Sequence, residues 1–349
     1  MTSLRSEFVK NAAAEAGFDL AGIAPAEDAP ELRRFPAWIA EGHAGEMKYL
    51  ESRDEDGELR RASLKRVFPW ARSVVVCAIN YNTAHPYSTQ SAEPGSGWIS
   101  RYAWSREDYH DAVLRRLREV ETKLKEAAPG MESRSYVDTG PIVERVYAKY
   151  AGIGWLGKNT CLINQKIGSW LFLGVIITSL DLAPDLPAPD RCGTCTRCID
   201  ACPTNAFVAP RQLDSNKCIA YLTIEKRGVV PDEFREQMGR HVFGCDICQD
   251  VCPWNRKAPA SSAPEFQPRE GLVNPALAWL AEISDEEFKV RFKGSPIKRT
   301  KRNGLRRNAL IAIGNSGDVN LRPVAEHAVD DPDEAVADAA RWAAAKLKG

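Results

Sequence analysis

Eight of the ten cysteines lie in or between two runs, Cys192-x2-Cys195-x2-Cys198-x3-Cys202-Pro203 and Cys245-x2-Cys248-x3-Cys252-Pro253. A run of the first kind holds a [4Fe–4S] cubane with three thiolates and sends its fourth to a neighbouring cluster. The second run lacks its leading cysteine, because Val242 stands there, and Cys218 between the runs is the replacement. The expected ligand sets are Cys192, Cys195, Cys198 and Cys252 for one cluster, and Cys202, Cys218, Cys245 and Cys248 for the other. Structural zinc takes separated C-x2-C pairs, and disulfide frameworks belong to short secreted chains with far denser cysteine. Cys77 and Cys161 sit in apolar surroundings and read as small buried residues.

Three further motifs bear on chemistry. Asp138 falls where the strand-like 134–137 ends and a glycine-bearing loop begins, as ligand-contacting residues do at strand ends of open α/β sheets. A turn or helix-capping aspartate is the plainer reading. A helix start would also hold its carboxyl low, against an acid role, unless a covered and desolvated pocket reversed that. Gly152-Ile153-Gly154-Trp155-Leu156-Gly157 fits G-x-G-x-x-G but follows helical rather than strand-like sequence, so a dinucleotide site is disfavoured. Its glycines are expected to let backbone lie against a flat or bulky ligand, with Lys158 and Asn159 as polar contacts. Asp108-Tyr109-His110 begins like a cobalt-ligating D-x-H-x-x-G motif, but Val113 occupies the glycine position. His110 therefore reads as a surface or partly packed residue.

The elements that must position these groups are legible in outline. Residues 1–185 read as an α/β (α+β) domain. It has a helix over 3–16, strands at 18–23, 73–79, 134–137 and a central one at 170–178. Ser105 and Asp108 form a capping box for a long helix reaching Ala127, with Val113, Leu114, Leu117, Val120 and Leu124 on its apolar face. Pro141 is expected in the first turn of a following helix. Prolines 184, 187 and 189 mark a linker into residues 186–260, a ferredoxin-like two-cluster domain. Residues 261–349 hold a basic segment and a HEAT-like helical repeat, which must pack on the body or on a partner to cover its face.

Charge adds one local signal. The 47 basic and 47 acidic residues cancel, yet 289–308 carries nine basic residues and no acidic one. Such a patch suits phosphates, and Lys298, Arg299, Lys301, Arg302, Arg306 and Arg307 are candidate nucleic-acid contacts. The longest apolar stretch, 170–177, is too short to span a bilayer. With the first residues lacking a signal-peptide core, the many thiols point to a reducing cytoplasm and no membrane partner.

Taken together, the layout resembles the epoxyqueuosine reductase family over nearly the whole chain. The resemblance rests on Tyr136-Val137-Asp138-Thr139-Gly140-Pro141-Ile142-Val143-Glu144-Arg145, on Gly152 to Lys158, on Cys218 to Glu225, on Gly244 to Gln249 and on Cys252-Pro253-Trp254-Asn255. It implies a cobalamin-binding domain like that of reductive dehalogenases, fed electrons by two [4Fe–4S] clusters from an external low-potential donor. The implied reaction reduces the epoxide of epoxyqueuosine at the wobble position of a tRNA with a GUN-type anticodon, the last step to queuosine. By the resemblance, Asp138 is the acid that protonates the leaving oxygen. Candidate corrin contacts are Arg145, Gly157, Lys158, Asn159, Ser169 and Asp246, and the enzyme is expected to be a monomer. One departure concerns the cysteine that some relatives bring above cobalt: none occurs between Cys77 and Cys161, and Tyr102 and Trp104 are expected to wall the substrate pocket instead. The alternatives are a reductive dehalogenase acting on a small organohalide and a plain two-cluster electron carrier.

Overall fold

The computed structural model describes residues 6–348. Its central sheet has four strands, β1 (Leu20–Pro25), β2 (Ser73–Asn80), β3 (Ser133–Tyr136) and β4 (Leu171–Thr178), in the order β1-β2-β4-β3 with every pair antiparallel. The domain is thus α+β, and the strand-end rule for parallel sheets does not govern Asp138. β2 is buried along its whole length because the sheet is covered on both faces. Val75, Cys77 and Ile79 pack on one side with α1 (Ser6–Glu15) and α2 (Tyr109–Ala127), while Val74, Val76 and Ala78 pack on the other with α3 (Glu144–Tyr150). The alternation of strand side chains produces both cores from one β-branched run.

The expected strands and the 109–127 helix are present, with changes at their ends. The part of the first helix before Ser6 lies outside the described residues. α2 is capped by Asp108, whose side chain accepts from the His110 N–H, and not by Ser105. Ser105 instead donates to the Tyr102 carbonyl and bridges to Pro268. Pro141 precedes α3 by three residues and sits in the loop. Val113, Leu117, Val120 and Leu124 are buried as expected, with Ala112 beside them.

A third core joins the rest of the chain. Trp98 and Ile99 pair in parallel with His241–Phe243 of the cysteine-rich segment, and Trp98, Trp104, Leu222 and Phe243 pack with α4 (Lys301–Ser316) and α5 (Glu334–Lys346). α4 ends at Gly317, left-handed at φ 67°, and Asp318 caps the next turn. The C-terminal helices therefore pack on the body of the protein. Residues 258–266 return to the first region, where Asn80 donates to the Pro259 carbonyl and Phe266 enters the α1–α2 core. Among the described residues, no helix is long and apolar enough to cross a membrane.

Candidate active site

The loop after β3 carries Asp138 in the left-handed region, at φ 58°, which aspartate tolerates better than most residues. Two bonds hold it there. Tyr109 of α2 donates to Asp138 Oδ2 at 2.9 Å, and the Asp138 N–H donates to Glu144 Oε1 of α3 at 2.7 Å. The Tyr109 ring is itself fixed, stacked on Phe172 of β4 at 4.5 Å and on His110 at 4.0 Å. Asp138 heads no helix, and its exposed carboxylate sits between α2 and α3.

The electrostatics of the cleft follow from this crowding. Desolvation and then the charge of Asp138 push the Glu144 carboxyl up to about 7, against the bond from the Asp138 N–H. The same two causes raise the Tyr109 phenol well above its ordinary range, so it remains a donor. His110 lies 4.0 Å from Asp138 and 2.8 Å from Asp108. Desolvation works against its cationic form, but the bond and charge of Asp108 win and its pKa is raised. Arg145 is exposed to solvent although protein surrounds it, as befits a group on a cleft floor, and its one side-chain bond goes to the Thr160 carbonyl at 3.2 Å. Tyr102 lies near Asp138, as expected for a pocket wall. Trp104 does not, being wholly buried with its Nε1 on the Ile99 carbonyl.

The eight clustered thiols sort into two groups by their mutual charges. Cys252 feels Cys198 and Cys192, and Cys198 feels Cys192 and Cys195. Cys245 feels Cys218 and Cys202, while Cys248 feels Cys245 and Cys218. Cys192, Cys195, Cys198 and Cys252 also line one cavity of about 250 Å³ together with Trp254, whose ring meets the buried Trp155 edge-on at 5.0 Å. Four convergent thiols around a space of that kind fit the donor set of a cubane. Cys77 is buried in the sheet, where desolvation raises its thiol to about 12. Cys161 is not plain packing. It lies against Cys248, and that contact, aided by the Arg145 guanidinium, lowers its pKa in spite of desolvation. The second thiol group is consequently the one next to Arg145 and the Asp138 cleft.

Several expected contacts are placed elsewhere. Lys158 reaches the carbonyls of Gly193 and Cys195, and Asn159 that of Cys248, so both brace the cysteine loops. The glycines of 152–157 admit this chain's own backbone: a Cβ on Gly154 would stand 2.2 Å from the Ile163 carbonyl, and one on Gly157 would strike Asn159 and Ile163. Ser169 is buried in a knot with Asn255 and Gln249. Asp246 is buried too, accepting from Ser100, from the Arg101 N–H at 2.8 Å and from Trp98 at 3.2 Å. Lys158, Asn159, Ser169 and Asp246 are thus all hydrogen-bonded within the chain. Of the basic candidates, Arg307 is buried and donates to the carbonyls of Leu222, Lys226 and Gly228. Arg306 pairs with Asp331 at 2.6 Å, and Arg302 holds the Ile283 carbonyl. Only Lys298, Arg299 and Lys301 stand exposed. Arg299 pairs with Glu225 and covers the Tyr49 ring at 5.2 Å, within reach of the field of Asp138. Tyr109, Glu144 and Tyr49 escaped the sequence reading because they meet Asp138 only across α2, α3 and a distant loop.

Comparison with known proteins agrees with this layout. Residues 61–139 match the family model described as Epoxyqueuosine reductase QueG, DUF1730, and residues 191–255 match the 4Fe-4S double cluster binding domain. An epoxyqueuosine reductase of Gloeobacter violaceus is 43% identical over 317 residues, 89% of this chain and 96% of that one. One of Synechocystis is 44% identical over 82% of this chain and 98% of its own. The crystal structure of an epoxyqueuosine reductase with a tRNA-Tyr epoxyqueuosine-modified stem loop superposes with a TM-score of 0.88 at 32% identity, covering 98% of this chain and 90% of that one. A Bacillus subtilis epoxyqueuosine reductase, solved with an aspartate-bearing catalytic loop swung out of its active site, gives 0.87 at 31% identity with the same coverage. With relatives this similar over nearly its whole length, the chain belongs to the epoxyqueuosine reductase family.

Proposed function

We propose that this chain reduces the epoxide of epoxyqueuosine in the anticodon loop of a tRNA, giving the cyclopentene of queuosine and water. What supports the reading is membership of the family together with Cys161, which touches Cys248 and feels the charge of Arg145, as Arg145 in turn feels that of Asp138. The reaction consumes two electrons and two protons. In this reading, Cys192, Cys195, Cys198 and Cys252 hold one [4Fe–4S] cluster and Cys202, Cys218, Cys245 and Cys248 the other. Cobalamin, when bound, supplies the strongly reducing centre that epoxide opening requires, and the exposed Arg145 suits the polar periphery of a corrin.

The chain's own side chains manage the protons. Tyr109 donates to Asp138 Oδ2, which leaves Oδ1 to carry the acidic proton toward the epoxide oxygen. His110, at 4.0 Å and with a raised pKa, is the group placed to restore it. Lys298, Arg299 and Lys301 offer the RNA backbone cationic contacts near the cleft mouth. The soluble setting of the tRNA substrate implies the cytoplasm.

The test is turnover by protein reconstituted with iron, sulfide and cobalamin, given an epoxyqueuosine-modified stem loop and a strong reductant. Mass spectrometry should show loss of one oxygen from the modified base. Intact clusters and bound cobalamin without that loss would reject the assignment.

A further inference from the structure

Three arginines stand beside the first thiol group. Arg191 and Arg197 line the cavity of about 250 Å³ together with Cys192, Cys195, Cys198 and Cys252. Arg197 and Arg256 line the adjoining open groove of about 520 Å³. All three arginines are exposed, and among the described residues none reaches a carboxylate within salt-bridge distance, whereas nearby Arg211 is neutralised by Asp190. Two carboxylates also line the groove, and neither pairs with these arginines. Asp200 accepts from the Thr196 hydroxyl at 2.7 Å, and Asp250 is buried and accepts from the Ser88 N–H at 2.8 Å. In a chain of zero net charge, three arginines against two carboxylates leave a local positive excess beside three half-exposed thiols and the buried Cys252.

We propose that Arg191, Arg197 and Arg256 form the docking surface for an acidic single-electron carrier protein, which delivers electrons to the first cluster. The inference rests on the cluster reading given above. Each encounter passes one electron: the reduced carrier is oxidised, the cluster is reduced, and no bond is made or broken. Two encounters supply one turnover. The substrate RNA enters elsewhere, because Asp138 and Arg299 adjoin the second thiol group's side of the molecule. Unpaired surface charges of one sign raise encounter rates with an oppositely charged partner and orient it, an effect that salt weakens. A rim that presents three such charges around the sulfur ligands brings the two redox centres together by that means.

The experiment mixes anaerobic holoenzyme, clusters oxidised, with a reduced acidic plant-type ferredoxin and follows bleaching of the cluster absorbance at increasing salt. Reduced methyl viologen, a small cation, serves as the second reductant. The triple variant Arg191→Glu/Arg197→Glu/Arg256→Glu should lose about tenfold or more in second-order rate with ferredoxin, and its salt dependence should flatten or reverse. Its rate with methyl viologen and its cluster absorbance should match the wild type. A milder Arg→Gln triple should fall between the two. Binding is read separately, by anisotropy of labelled oxidised ferredoxin and of a labelled tRNA stem loop. Ferredoxin affinity should drop while stem-loop affinity holds. An unchanged ferredoxin rate, or an equal loss with both reductants, overturns the proposal. Loss of stem-loop affinity alone assigns the rim to RNA and overturns it likewise. Wild-type protein that shows no cluster absorbance after reconstitution would instead remove the cluster reading beneath it.

Discussion

A carboxyl group serves as an acid in a cleft only if its proton has a defined seat and a route back. In the proposed reaction Asp138 has the first through Tyr109, which occupies Oδ2 and leaves Oδ1 for the proton, and the second through His110, which bonds Asp108 and lies 4.0 Å from the same carboxylate. Asp138→Asn keeps the size and the bond from Tyr109 but cannot give the proton. Turnover on the modified stem loop should fall by roughly 10²–10⁴, the usual worth of general acid catalysis, with cobalamin and iron content unchanged. Glu144 provides a pH signature in the same place. Its folded pKa, raised to about 7 by desolvation and the charge of Asp138, lies above its ordinary value of 4.5. Between those values the folded state binds more protons than the unfolded one, so this group's contribution to stability is full at low pH and lost as pH rises toward 7. The urea midpoint of the holoprotein should accordingly fall from about pH 5 to about pH 7, and Glu144→Gln should flatten that slope.

At the scale of elements, α4 shows how one sequence pattern can carry two roles. Its first turn exposes Lys301, while Arg306 and Arg307, both between one and two turns later, are buried. Arg307 has lost solvation, which lowers its pKa to about 10, and it recovers the cost through three backbone carbonyls. Arg307→Met leaves those carbonyls without donors and should cost about 2–4 kcal/mol of stability by denaturant titration, with RNA affinity unchanged in the folded fraction. Lys298→Glu/Lys301→Glu should do the opposite, weakening stem-loop binding and reducing its salt slope by about one per lost contact. Sequence could not separate these residues, because the acceptors of Arg307 belong to the 222–228 segment and lie next to it only in the fold. The same limit explains Ser105. Two good caps stood three residues apart, and a tertiary bridge to Pro268 decided between them. β2 and α2 were readable because their burial follows from period alone. The glycines of 152–157 read as room for a ligand, and Gly154 and Gly157 also make room for Ile163, a close approach that leaves the same mark on a sequence.

Across the whole molecule, the order of the parts constrains how electrons travel. The Cys192 group lines a cavity that Arg191 and Arg197 also line, while Cys248 of the Cys218 group touches Cys161, which feels the charge of Arg145. The cysteine spacing suggests the two ligand sets, and the place of Cys218 at the head of the 218–225 motif suggests that its set faces the chemistry; the contact of Cys161 with Cys248 near Arg145 of α3 emerges only in the fold. This contact makes the two clusters unequal, and single ligand losses should expose the difference. Cys218→Ala removes a donor from the inner set and leaves all four outer thiols, so iron should fall from about eight to about four atoms per chain. The remaining cluster should still be reduced by methyl viologen, yet turnover on the stem loop should vanish, because nothing then connects the outer cluster to the cleft. Cys195→Ala should lose the same amount of iron but keep measurable turnover with methyl viologen, a reductant small enough to reach the inner cluster without the outer one. Iron analysis, electron paramagnetic resonance and turnover on both variants check this together. Full turnover in Cys218→Ala, with none in Cys195→Ala, would reverse the order and put the outer cluster next to the reaction.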